Sequence, residues 1–235
     1  MKTHIRFIPF LLLLFTASCG NYVYRATALR VPLVKEQHDV DIQLNSSTAG
    51  TEIYAAYAPL DNIAISAGYA GSKDTNFDRN SRFSDLEFSV MPFYAKNMLR
   101  LEMPLGFGYT RRESLDNSFA TFQPYTRYFI QPTVAMGWEY IDLALIFRST
   151  FIEYTNPAFK QDIRNQLGIM FRAGIPTVKA MAQFSTEFGT QNTDLVDYYP
   201  IHVAVGLNFY FNAADPLRKK SKTAPNSGDT APVVP

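Results

Sequence analysis

Hydrophobic and polar residues alternate with a period of two through most of the chain after residue 38. This is the pattern of strands whose two faces meet different surroundings. The clearest run is 98–109, with Leu99, Leu101, Met103, Leu105, Phe107 and Tyr109 on one face and Arg100, Glu102, Gly106 and Gly108 on the other. Residues 141–151 repeat it: Ile141, Leu143, Leu145, Phe147 and Phe151 face away from Asp142, Ala144, Arg148 and Thr150. In 201–211, Ile201, Val203, Val205, Leu207, Phe209 and Phe211 alternate with His202, Ala204, Gly206, Asn208 and Tyr210. Weaker copies fall at 39–44, 63–69, 85–90, 167–175 and 183–188, with strands of less certain phase at 51–58 and 122–137. No apolar run after residue 19 approaches the length of a transmembrane helix.

A soluble sandwich also alternates, with its apolar faces inward. Three features favour a membrane barrel. The predicted strands run from about 8 to 14 residues, near the 9–11 that cross a bilayer. The faces opposite the apolar ones mix Gly, Ala and Ser with charges, which suits a narrow lumen. The connections alternate in length. Short ones are Leu60-Asp61-Asn62, Ala95-Lys96-Asn97, Glu139-Tyr140 and Pro176-Thr177, and 71–82, 110–120, 155–165 and 190–198 are long. A first strand starting in the periplasm puts every short turn there and every long loop outside, with 46–50 as a short outer loop. The predicted fold is therefore all-β: an up-and-down antiparallel transmembrane β-barrel of about ten strands over 38–211, eight being the alternative count. Pro92, Pro104, Pro124 and Pro132 lie inside these strands and cannot donate to a ladder, so bulges are expected there.

The flanks differ in kind from the barrel. Lys2 and Arg6, the short apolar core Phe7–Phe15 and the small residues Thr16-Ala17-Ser18 make 1–18 an expected export signal. The chain's only cysteine, Cys19, follows directly. Small residues before that cysteine resemble a bacterial lipobox, although Thr16 stands where Leu is usual. That resemblance implies acylation of Cys19, palmitate included, and a lipid anchor. Residues 19–37 read as the lipidated N-terminus and an extended linker to the first strand. Residues 212–235, with Lys219-Lys220, Pro225, Gly228 and Pro232, read as a disordered periplasmic tail.

The leader with Cys19, the segment Val31–Glu36, Tyr128-Phe129-Ile130-Gln131-Pro132 and the aromatic final strand Asn208-Phe209-Tyr210-Phe211 together resemble the small outer-membrane barrel lipoproteins of Bacteroides-like Gram-negative bacteria. The resemblance implies an outer-membrane location, contact with its lipids, and recognition of the last strand by the barrel-assembly machinery. Surface-displayed lipoproteins of that kind often carry an acidic run after the cysteine. Gly20-Asn21-Tyr22-Val23-Tyr24-Arg25 has none, which implies a periplasmic anchor.

Composition narrows the function classes. The chain is 47% hydrophobic, 14% aromatic and only 18% charged, with a formal charge of +1, so no nucleic-acid partner is implied. One cysteine and the histidines His4, His38 and His202 make no metal cluster, and no glycine-rich phosphate loop occurs; no cofactor is expected. The candidate chemistry is inward. Arg100, Arg127, Arg148 and Arg172 fall on successive polar faces, with Asp41, Asp85, Glu87, Glu102 and Glu187. Such a network holds and blocks a lumen of about ten strands; lining a selective pore is its other use. His202 with Asp85, Glu87 or Glu187 near the outer rim resembles the placement of acid and histidine in ten-stranded outer-membrane proteases. With no matching motif it reads as a satisfied lumen histidine, and no catalytic residue is expected. The last long loop, Gln191–Tyr199, with Phe77 and Phe119 in other loops, offers contacts to an extracellular or periplasmic protein partner, while Tyr198 and Tyr199 themselves read as part of the outer aromatic girdle. The expected role is structural or interacting. The alternatives are a small porin-like transport channel and a periplasmic lipid-binding barrel with its apolar faces inward.

Overall fold

The computed structural model describes residues 27–76, 79–114, 124–155, 161–190 and 201–214. Its strands are β1 (Asp39–Ser47), β2 (Gly50–Leu60), β3 (Ile63–Asn76), β4 (Arg79–Lys96), β5 (Leu99–Glu102), β6 (Leu105–Ser114), β7 (Tyr125–Ile130), β8 (Thr133–Gly137), β9 (Ile141–Tyr154), β10 (Asp162–Ile175), β11 (Val178–Thr190) and β12 (Ile201–Asn212). Each pairs antiparallel with its neighbour, and β1 with β12 closes the circuit from Asp39↔Asn212 to Ser47↔Ala204. Segments β5 and β6 lie end to end as one stave, both against β4. Segments β7 and β8 form another, both against β9. The twelve segments therefore make a closed antiparallel barrel of ten staves.

The two interrupted staves break at proline. Met103-Pro104 separates β5 from β6, and Gln131-Pro132 separates β7 from β8. The expected bulges are absent at these gaps. Phe93↔Glu102 and Val90↔Leu105 keep one register across the first, and Leu101↔Val134 and Leu105↔Ile130 keep one register across both. Pro92 likewise sits in register opposite Ile63, and Pro124 just precedes β7. Proline lacks the N–H, but its carbonyl still accepts: Met103 N–H bonds Pro92 (3.0 Å), Gln131 bonds Pro104 (2.9 Å) and Phe147 bonds Pro132 (3.0 Å). Each pair keeps one bond of two, so the ladder thins without slipping. The register shift lies elsewhere, between Tyr57 and Leu60, over Pro59.

Short turns at Asp61-Asn62, Asn97-Met98, Glu139-Tyr140 and Pro176-Thr177 gather at one mouth, the turn mouth. The other, the loop mouth, holds the longer connections. Those are shorter than their polar sequences suggest, because β3 runs to Asn76, β4 begins at Arg79, β6 reaches Ser114 and β10 begins at Asp162. Pairing is a backbone property, so staves continue past the apolar belt where both faces turn polar. Residues Phe77, Phe119, Tyr198 and Tyr199, most of 190–198, Cys19 and the leader lie outside the described residues.

Apolar side chains point out. Leu101, Leu145 and Val205 are 38%, 54% and 45% exposed, and Phe88 and Phe107 stack on the exterior across a cross-strand pair. Their sequence neighbours Arg100, Glu102, Ala144 and Ala204 are buried. That is the reverse of the arrangement a lipid-binding barrel with an oily centre requires.

Residues 27–34 belong to the segment read from the sequence as an extended linker to the first strand. They are extended but entirely buried within the barrel, with Leu29, Val31 and Val34 at zero exposure. Leu29, Val31 and Leu33 pack on Ala135, Ala144, Ile146, Met170 and Met181, and Val34 packs on Ala58, Ala64, Met91 and Phe93. These wall residues give part of the lumen an apolar lining. A hydrophobic strand fills it because burial removes both surfaces from water.

Candidate functional site: the occupied lumen

Residues 27–38 have no β-ladder inside the barrel, so their backbone groups must find side chains. The wall supplies them in order of height. At the loop mouth the Ala28 N–H donates to both Glu52 carboxylate oxygens (3.1 and 3.2 Å), and Ser47 Oγ steadies Glu52 from the adjacent stave. The Gln183 amide, oriented to suit, pairs with the Leu29 carbonyl (2.8 Å) and N–H (2.7 Å). Gln131 Nε2 donates to the Arg30 carbonyl (2.6 Å). The Val31 carbonyl accepts from Gln43 Nε2 (3.0 Å) and from Arg172. At the turn mouth the Lys35 and Glu36 N–H groups donate to Asp39 Oδ2 (2.7 and 3.0 Å). Leu33 (φ 55°) and His38 (φ 70°) take left-handed backbone where the segment bends toward β1. Such geometry costs a non-glycine residue roughly 1–2 kcal/mol; burial holds it at Leu33, and at His38 the N–H bond to the Ala58 carbonyl (2.7 Å) does so.

The charged side chains form three tiers. The middle tier centres on Glu87. Its carboxylate meets Arg127 Nη2 (2.7 Å), Arg148 Nη2 (3.2 Å) and Arg30 Nε (3.1 Å). Arg127 also pairs with Asp85 (2.6 Å), whose other oxygen accepts from Thr110 Oγ1 (2.6 Å). Arg148 reaches Gln131 Oε1 through Nε (2.8 Å) and lies over the Phe129 ring. Arg30 lies over Tyr54 and directly against Gly68. A Cβ on Gly68 would stand 1.5 Å from Arg30 Nη1, so glycine leaves the space the guanidinium occupies. Gly108 does the same for Arg127, and Gly168 for Leu29.

The lower tier gathers Arg172, Asp41 and Asn208. Arg172 Nη1 meets Asp41 (3.4 Å) and Asn208 Oδ1 (3.2 Å), and Asn208 Nδ2 donates to Asp41 (2.7 Å). Toward the turns Lys179 pairs with Asp142 (2.9 Å), and Arg100 donates to the carbonyls of Asn97 and Leu99 (2.7 and 2.8 Å). Lys35, at this mouth, is held below the usual lysine range by desolvation and then by the charges of Arg100 and Lys179. Glu102 is buried facing the backbone of Leu33 and Val34. The upper tier holds Arg164 with Asp162 (2.6 Å) and Glu187 (3.8 Å), and His202 Nε2 with Glu187 (3.3 Å). Thr48 Oγ1 lies 3.2 Å from His202 Nδ1.

Of the network residues named from sequence, Asp85, Glu87, Arg127 and Arg148 meet. Arg172 joins Asp41 in the lower tier, with Glu102 close to both, and Arg100 lies nearer the turns. His202 meets Glu187, while Asp85 and Glu87 belong to the middle tier. Arg30 was missed because it precedes the barrel and carries no strand pattern. The available signal was on the wall: Ile146, Met170 and Met181 are large apolar residues on otherwise polar faces, and they imply an apolar occupant. Among the described residues no group of His, Cys, Asp and Glu is placed to hold a metal ion. Chemically, the lumen can bind an extended peptide and exclude water.

No protein-family model and no curated protein matches the chain. Among solved structures the chain is similar to a bacterial polysaccharide outer membrane secretin, at 11% identity over 72% of this chain and 56% of that one, with a TM-score of 0.43. It is also similar to two structures of OmpT from Vibrio cholerae. The trimer form folded in vitro gives 11% identity, 68% and 55% coverage and a TM-score of 0.36. The outer-membrane-expressed form gives 11%, 74% and 62%, and 0.37. The chain thus spans rather more than half the length of these structures. Likenesses at this level carry no functional argument.

Proposed function

We propose that this chain is an outer-membrane barrel lipoprotein whose lumen is sealed by its own residues 27–34 together with the charged tiers, and that its role is structural or interacting. The exterior supports the membrane setting. A continuous belt of exposed Leu, Ile, Val and Phe is unfavourable in water and favourable in hydrocarbon, and a closed barrel leaves no unpaired edge there. The short turns then face the periplasm and the long connections face outward. Asn212 ends β12 at the turn mouth, which supports a periplasmic side for the C-terminal tail. Removal of 1–18 and acylation of Cys19 fit this setting, as does assembly by the barrel machinery through the aromatic last strand. The long loops are the surfaces for a partner.

The observation that carries the sealed-lumen reading is the complete burial of Leu29 and Val31 inside the barrel, against Ile146, Met170 and Met181. A transport pore needs a continuous wet path, and the described lumen holds a packed strand in its place. Planar-bilayer recording of the purified full chain tests this. The expected result is no steady current. Ohmic steps from the full chain would replace this reading with that of a small channel.

A further inference from the structure

We infer that the chain preceding the barrel leaves through the lumen at the loop mouth, so that Cys19 is delivered to the same side of the membrane as the long loops. This rests on the membrane-spanning reading above, and it runs against the periplasmic anchor implied by resemblance alone.

The direction follows from heights along the wall. β1 starts at the turn mouth, because Asp39 pairs with Asn212 and His38 N–H donates to the Ala58 carbonyl (2.7 Å) near the Asp61-Asn62 turn. Going backward from there, the chain climbs. Val34 contacts Ala64, Met91 and Phe93, all close to the turns. Val31 meets Arg172 and Gln43, one level higher. Arg30 meets Glu87 and Gly68 at mid-height. Ala28 meets Glu52, two residues into β2 from the loop mouth, and Ser47, at the loop end of β1, holds that carboxylate. At Thr27, still buried, the extended segment has climbed from the turn mouth to the level of the loop end of β1 and is heading for the loop mouth.

Cys19 lies eight residues before Thr27. Eight residues span at most about 29 Å when fully extended. A stave of 14 residues such as β9 rises about 35 Å after allowing for tilt. The return route through the lumen is occupied by residues 28–34. A return down the outside would lay unpaired backbone against the apolar belt, where each unsatisfied group costs several kcal/mol in hydrocarbon. Neither length nor solvation lets Cys19 regain the turn side. If Cys19 is acylated, its chains enter the leaflet on the loop side.

The test uses the full-length protein in a Gram-negative host, with one epitope per variant: between Asn21 and Tyr22, within 156–160, or between Asp61 and Asn62. Heat-modifiable migration confirms that each barrel has folded. Intact and permeabilised cells are then labelled with antibody. The inference expects the Asn21–Tyr22 epitope to label with the 156–160 epitope, and the Asp61–Asn62 epitope to label on the opposite side. An Asn21–Tyr22 epitope that follows the Asp61–Asn62 epitope overturns it. If the 156–160 epitope is hidden in intact cells and the turn epitope exposed, the proposed barrel orientation fails, while the threading is still judged by which epitope the N-terminal one follows. A protease site at the Asn21–Tyr22 position gives a second readout, since cleavage on the loop side shortens the chain without opening the barrel.

Discussion

The middle and upper tiers of the lumen use the same side-chain types in different ways. Glu87 sits among three guanidiniums, one of which, Arg30, belongs to the chain's own buried N-terminal strand. Glu187 sits at the loop rim with His202 and a more distant Arg164, all on the wall. Removing Glu87 leaves buried cations facing one another in the centre of the barrel. Removing Glu187 leaves Arg164 its closer partner Asp162, at 2.6 Å. The comparison separates charge that fastens a plug from charge that trims a rim, and it says where the barrel is vulnerable.

The largest effect is expected from deleting residues 27–34. This removes the apolar filling and the partner of the middle tier together, and the deletion variant should show stepwise bilayer currents where the full chain is silent. A silent deletion variant would mean that the wall side chains close the lumen unaided. Next comes Glu87→Ala. Breaking a buried ion cluster costs about 3–5 kcal/mol, so the midpoint of heat- or urea-induced loss of the folded gel band should fall clearly.

Gly68→Val comes third. Its side chain invades the Arg30 site, and overpacking of this kind costs roughly 1–3 kcal/mol. The telling readout is faster proteolysis of the N-terminal strand in an otherwise intact barrel, and unchanged protection would show that Arg30 is not what anchors it. The smallest effect is expected from Glu187→Gln. Glutamine keeps the shape of the side chain and an accepting oxygen, and Arg164 keeps Asp162 at 2.6 Å, so a loss of about 1 kcal/mol, the scale of one hydrogen bond, is expected in the same unfolding assay. A loss matching that of Glu87→Ala would erase the distinction between the tiers.

How much of this was legible in the sequence depends on how local the cause is. The alternation of Leu99–Tyr109 or Ile141–Phe151 is a property of neighbouring residues, and it gave the strands, their faces and the ten-stave count. The arginines and carboxylates were read as inward for the same reason. Their grouping into tiers was not readable, because it depends on the stagger of strands around the closed barrel. The prolines misled in one respect: a missing N–H suggested bulges, yet the paired backbones on either side held the register. The buried strand was the least legible. Its partners are remote, with Arg30 meeting Gln131 and Val31 meeting Arg172, and Ala28-Leu29-Arg30-Val31-Pro32 has no period of its own. Only the misplaced Ile146, Met170 and Met181 pointed to it.

The membrane setting depends on hydrocarbon meeting the outer wall. The direct measurement places a single fluorophore at Leu101, Leu145 or Val205, and at Asp61 as a turn control, in the barrel reconstituted into vesicles. The account predicts strong quenching of the first three by lipids brominated along the acyl chains and little by aqueous iodide, with the reverse at Asp61. Iodide reaching Leu101, Leu145 and Val205 as readily as Asp61 would contradict it.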